Sequence, residues 1–92
     1  MITGRQVRAA RALLFWTQET LAEKALVALT ALKRLESERG LPVHDTTRDL
    51  VRRALENAGI LFMESDRGRG VMLLHEAAST VLGAKRRPAL KR

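Results

Sequence analysis

Apolar residues recur at helical spacing through the first two thirds of the chain, and the period then changes. Val7, Ala10 and Leu14 lie on one side of a first helix predicted over Arg5 to Leu14, with Thr3 placed to cap it. Phe15 and Trp16 interrupt that pattern, and Trp16 reads as a packing residue at the junction. Thr17 restarts it. Its hydroxyl can accept from free backbone N–H groups at the start of a second helix, Gln18 to Ala25, whose apolar side is Leu21, Ala22 and Ala25. A third helix follows from Ala28 to Glu36, with Val27, Leu32 and Leu35 as its apolar side. Two helices this short cannot bury their apolar sides alone, so they must pack on each other and on neighbours.

Gly40 suits a left-handed position beyond the third helix, and Pro42 stops the helix from continuing. Residues 44–47 form a loop, and Thr46 with Asp49 three residues later approximates a capping box for a fourth helix. Leu50, Val51, Ala54, Leu55 and Ala58 share one face of that helix, Arg48, Arg52 and Arg53 lie mostly off it, and Gly59 is its natural stop. The runs Ile60–Met63 and Val71–Leu74 flank the turn-rich sequence ESDRGRG, which predicts a β-hairpin. Its strands do not alternate apolar with polar residues, so both faces of the ribbon are apolar and the second face needs a cover. A second copy of the chain or the following segment, HEAASTVLGAK, can supply it. That segment has the composition of a short helix ending at Gly83. The expectation is a homodimer formed through Ile60, Phe62, Met63, Met72 and Leu74.

Ninety-two residues suffice for one modest core. The organisation expected is a helical domain over residues 1–59, a hairpin and short helix over 60–84 that serves dimerisation, and a tail over 85–92. With no cysteine, a disulfide scaffold, a thiolate metal site and cysteine chemistry are excluded. No apolar run approaches the length of a membrane span, and the N-terminus has no signal-like segment, so a cytoplasmic, nucleoid-associated protein is expected with no membrane partner. The net charge is +7, and Lys85, Arg86, Arg87, Lys91 and Arg92 supply much of it. Setting those five aside leaves 12 basic against 10 acidic residues, so the domain is mildly basic and the tail strongly so. A basic excess points to a polyanion as partner.

These features carry a resemblance. Arg5 through Val43, and above all QVRAARALLFWTQETLAEKALVALTALKRLESERG, resembles the lambda-repressor-like (Cro/XRE-type) helix-turn-helix family of bacterial and phage regulators. The continuation DLVRRALENAGILF resembles small regulators whose fourth helix leads into a hairpin. The resemblance implies a mainly α fold, a four- to five-helix lambda-repressor-like domain followed by a short β-hairpin and a basic C-terminal tail. It implies that Gln18 contacts backbone phosphate. Ala28, Leu29 and Thr30, with Lys33 and Arg34, would face the major groove, and Arg11 and Glu36 would form an internal salt bridge. Lys85, Arg86 and Arg87 of the tail are candidates for a second grip on DNA. Three positions depart from the family: Phe15 and Leu26 stand where glycine is usual, and Ala28 where a capping hydroxyl is usual. A left-handed conformation costs a non-glycine residue about 1 kcal/mol or more, so the Leu26 turn is expected to be reshaped.

No enzyme is expected. His75-Glu76 begins like a zinc-protease motif, but Ser79 stands where the second histidine is required. His44, Asp45 and Asp49 are explained better by capping than by metal binding, and no cofactor is implied. The resulting expectation is a small transcriptional regulator, a repressor by default, that binds double-stranded operator DNA as a dimer. The alternative is a helix-turn-helix used to bind a second protein, as an antitoxin or anti-activator. A phage or plasmid accessory protein that binds DNA with little specificity is a third reading.

Overall fold

A computed structural model describes residues 1–75. The short helix expected before Gly83 and the basic tail with Lys85, Arg86 and Arg87 lie outside the described residues. Within them, four helices precede a two-stranded antiparallel hairpin: α1 (Gly4–Leu14), α2 (Gln18–Ala25), α3 (Leu29–Glu36), α4 (Asp45–Asn57), β1 (Ile60–Ser65) and β2 (Gly68–Leu73).

The N-terminal caps explain where α1 and α2 begin. The Gln6 N–H donates to Thr3 Oγ1 at 3.2 Å, and the Thr3 N–H donates to Gln6 Oε1 at 3.0 Å, a reciprocal capping box. Thr17 Oγ1 accepts from the Thr20 N–H at 3.0 Å and caps α2. Ala28 precedes α3 and offers no side-chain cap. The start of α4 differs from expectation. It begins at Asp45 after an uncapped His44, and Thr46 forms no capping box with Asp49. Asp49 instead pairs with Arg52 and Arg53 one turn on, so its carboxylate is engaged along the helix and not at its end.

The ends of α1 and α2 follow one design. Phe15 (φ 58°) and Leu26 (φ 60°) are both left-handed, and both are exposed, at 96% and 84%. The Trp16 N–H donates to the Arg11 carbonyl and the Phe15 N–H to Ala12. The Val27 N–H donates to the Ala22 carbonyl and the Leu26 N–H to Glu23. These are the paired bonds of a Schellman motif. The Leu26 turn is therefore not reshaped, contrary to expectation. The motif satisfies terminal carbonyls and turns the next residues, Trp16 and Val27, onto the core. Those gains offset the strain that glycine would have avoided.

The core is formed by Val7 and Ala10 of α1, Leu21, Ala22 and Ala25 of α2, Leu32 and Leu35 of α3, and Val51 and Leu55 of α4, closed by Ile2 and Ile60. The start of α1 meets the end of α3 closely. A Cβ on Gly4 would lie 2.4 Å from the Leu35 carbonyl oxygen, so only glycine fits there.

β1 pairs with β2 in the register Ile60↔Leu73, Leu61↔Met72, Phe62↔Val71, Met63↔Gly70. The paired strands extend to Ser65 and Gly68, so the connection is only Asp66-Arg67 and not the whole of ESDRGRG. Ile60 is buried, and Phe62, Val71 and Leu73 pack on the core, whereas Leu61, Met63, Met72 and Leu74 are exposed. This corrects the proposed dimer surface. Ile60 and Phe62 face inward and are already used by the protein's own core. The buried Gln6 amide anchors the hairpin, donating to the carbonyls of Gly70 (3.0 Å) and Met63 (3.4 Å).

Candidate nucleic-acid interface

The surface of α3 divides cleanly. Leu32, Leu35 and Glu36 are buried, and Leu29 packs against the core from its edge. Thr30, Lys33 and Arg34 are exposed and fall at i, i+3 and i+4, which places them together on the opposite side of the helix. Of the residues expected to face DNA, Leu29 is thus a packing residue, and Ala28 is exposed at the helix start with only a methyl group to offer. Thr30, Lys33 and Arg34 remain as the hydrogen-bonding and charged part of that face.

The ion pairs sharpen this charge distribution. Arg8 pairs with Glu38, Arg11 with Glu36, Arg52 with Asp49 and Glu56, Arg53 with Asp49, and Arg69 with Glu64. Among the described residues, Lys33, Arg34 and Arg39 have no carboxylate partner, and neither do Arg5, Lys24, Arg48 and Arg67. α1, α4 and the hairpin carry both paired and unpaired arginines, the latter being Arg5, Arg48 and Arg67, whereas neither cation of α3 is paired among the described residues. Arg34 also lines a shallow cleft with Ala31, Pro42, Val43, His44 and Thr47, between α3 and the start of α4. Sequence reading missed Arg39 and this cleft. Arg39 follows the helix in a loop, where periodicity assigns no face.

A buried carboxylate holds the surface in place. Glu36 is 3% exposed. It accepts from Arg11 Nε and Nη2, each at 2.8 Å, in a two-pronged pair, and from Gln18 Nε2 at 3.0 Å. Arg11 Nη1 adds a bond to the Trp16 carbonyl at 3.2 Å. The hydrogen bonds Arg11 donates to Glu36 raise the Arg11 pKa above its ordinary value, against the opposing effect of burial. The expected Arg11–Glu36 pair is therefore formed, and it does more than join α1 to α3. It also fixes Gln18 at the start of α2. One N–H of that amide is already engaged inside the domain, so Gln18 has its oxygen and second N–H left for a ligand. Arg8 adds a further tie by donating to the Glu36 backbone carbonyl.

Trp16 is half-buried at the α1–α2 junction, with Lys24 Nζ 5.3 Å from its ring centroid. It is a packing residue with a cation over its face. No group of three or more metal-ligating side chains occurs among the described residues. No helix among them is long and apolar enough to cross a membrane.

No family model matches the chain, and no curated protein matches it either.

Proposed function

We infer that the chain is a small DNA-binding regulator of the lambda-repressor-like type, in which α2 and α3 act as a helix-turn-helix and α3 enters the major groove. The observation that carries this reading is the exposed trio Thr30, Lys33 and Arg34 on one side of α3, with neither cation paired to a carboxylate among the described residues. Lys33 and Arg34 supply charge for phosphates, and Arg34 can also make a paired contact with guanine. Thr30 contributes a hydroxyl, and Arg39 extends the same charge into the following loop. Gln18 is held by Glu36 at the start of α2, where its second side-chain N–H suits a phosphate oxygen. The basic segment 85–92 adds attraction independent of sequence. Such a protein regulates by occupying an operator, and repression by occlusion is the simplest outcome. Two copies on two half-sites would supply the length of sequence that one short helix cannot read.

A second reading has a specific observation behind it. Ala28, Leu29 and Ala31 leave the front of α3 poor in hydrogen-bonding groups, which suits a protein partner such as the target of an antitoxin or anti-activator. Genome-wide immunoprecipitation of the tagged chain separates the two. The regulator reading expects a shared sequence motif whose gel shift is lost in the Lys33→Ala/Arg34→Ala double variant. Absence of DNA enrichment together with a co-purifying protein supports the second reading.

A further inference from the structure

Two apolar side chains bracket α2 and take no part in the core. Phe15 precedes the helix and Leu26 ends it, both largely exposed and both in a left-handed conformation that favours glycine. Between them Glu19 and Glu23, at i and i+4, form an exposed stripe along the outside of the helix, which Leu26 continues at i+7. Neither glutamate pairs with a cation among the described residues. Lys24 of α2 lies over the Trp16 ring instead. Arg11 is within range of the Glu19 charge but directs its hydrogen bonds to Glu36 and the Trp16 carbonyl. In a chain of net charge +7, α2 thus presents an acidic stripe with an apolar residue at each end.

We propose that residues 85–92 of the same chain dock on this stripe. Their sequence, KRRPALKR, holds five cations, no acid and one leucine, Leu90. Its charge is opposite to that of Glu19 and Glu23, an arginine suits the open face of the Phe15 ring, and Leu90 suits Leu26. An outside partner would have to bring the same combination, which this chain already carries at the high local concentration of a tethered segment. The path is short. The Leu74 N–H donates to the Gly59 carbonyl at 2.8 Å, so the chain leaves the hairpin beside the end of α4. Asn57 and Ala58, just before Gly59, share a cleft with Trp16 and with Lys24 of α2. The ten steps from His75 to Lys85 reach as far as about 33–36 Å, against about 12 Å for the whole of α2.

Exposed ion pairs are individually weak and screened by salt, so the docked state is reversible and favoured at low ionic strength. In its effect on DNA the inference rests on the regulator reading. Glu19 and Glu23 compete with phosphates for the cations of the tail, which damps the attraction of the tail to duplexes of any sequence. Thr30, Lys33 and Arg34 lie on α3, outside the stripe, and keep their contacts.

The test uses the full chain without DNA, so its outcome does not depend on whether Lys33 and Arg34 bind DNA. The chain has no cysteine, so Ala89→Cys takes a single nitroxide label and keeps every cation. At low ionic strength, paramagnetic broadening of amide NMR signals should concentrate on Phe15 and residues 19–26, and it should fade at about 0.5 M salt. It should fall by about threefold or more in Glu19→Gln/Glu23→Gln, whose two exposed positions leave the fold intact. Broadening spread evenly over the surface, or centred on another face such as the outer side of the hairpin, overturns the proposal. Broadening on α2 that is unchanged in the double variant overturns it as well. Equal broadening of an isotope-labelled chain without nitroxide, mixed with a nitroxide-labelled one, would place the tail of a second copy there and overturn the assignment to the same chain. For the competition, affinity for a duplex of arbitrary sequence should rise about threefold in Glu19→Gln/Glu23→Gln, and by less when the five tail cations are also replaced by glutamine. An equal rise in both backgrounds overturns the competition.

Discussion

Replacing Glu36 by alanine removes the acceptor of three side-chain hydrogen bonds at the centre of the helical domain. Truncating one member of a buried ion pair typically costs about 3–5 kcal/mol, because the partner charge is left uncompensated. The Arg11 side chain keeps 20% of its surface exposed, and water reaching it lowers the cost to about 2–4 kcal/mol. A chain of 92 residues has a total stability of about 5–14 kcal/mol. Glu36→Ala should therefore remain folded at room temperature with its thermal midpoint lowered by roughly 10–25 °C. Denaturant unfolding followed by circular dichroism measures the difference directly. A double variant sharpens the reasoning. Arg11→Met with Glu36→Leu removes both charges and leaves neither stranded, so it should be more stable than Glu36→Ala alone. A loss below about 1 kcal/mol for Glu36→Ala, or a double variant less stable than the single, would refute the argument that this carboxylate is held by matched donors.

Three further outcomes follow from local geometry. Leu26→Gly relieves a left-handed conformation in an exposed side chain at the expense of unfolded-state entropy, so stability should rise by about 0–1 kcal/mol. A clear loss in chemical denaturation would show that the Leu26 side chain contributes packing. Gln6→Ala should cost about 1–3 kcal/mol and speed amide hydrogen exchange in the hairpin more than in α2, because the amide ties Thr3 to the carbonyls of Met63 and Gly70. Equal acceleration everywhere would contradict that anchoring role. The hydrogen bond from Arg69 depresses the Glu64 pKa in the folded protein. The stabilisation from this pair is thus present above the ordinary glutamate range and is lost as pH falls through the depressed value. A carboxyl titration by NMR should show Glu64 titrating lower in wild type than in Arg69→Ala, and identical curves would count against the pair.

Much of the helical part was legible because one signal dominated each element. Val7 and Ala10, Leu21 and Ala25, Leu32 and Leu35, and Val51 and Leu55 follow helical spacing, and all of them are buried. Thr3 and Thr17 announced two helix starts through their hydroxyls. The hairpin was legible as a hairpin, but its faces were not. With Ile60, Leu61, Phe62 and Met63 all apolar, alternation carries no information about which side turns inward, and only packing against α1 and α4 chooses Ile60 and Phe62. Strand length escaped for the opposite reason, since Glu64, Ser65, Gly68 and Arg69 pair through their backbones without apolar side chains. Leu26 shows a tertiary preference overriding a local one. Docking of Val27 and the bonds to the α2 carbonyls outweigh the left-handed strain. At the candidate interface, periodicity separated Lys33 and Arg34 from the buried side of α3. The engagement of Gln18 by Glu36 depends on a contact between helices that spacing alone does not express.

The central claim is that Lys33 and Arg34 contact DNA. The measurement that tests it most directly is the salt dependence of affinity for a duplex recovered by immunoprecipitation, for wild type and for Lys33→Ala/Arg34→Ala. If both residues contact phosphate, the double variant binds more weakly, and its slope of log affinity against log salt is shallower by about 1.8, roughly 0.9 for each lost contact. Its thermal midpoint stays that of the wild type, because both side chains are exposed and pair with no carboxylate among the described residues. Equal affinity and an unchanged slope in the double variant would contradict the account.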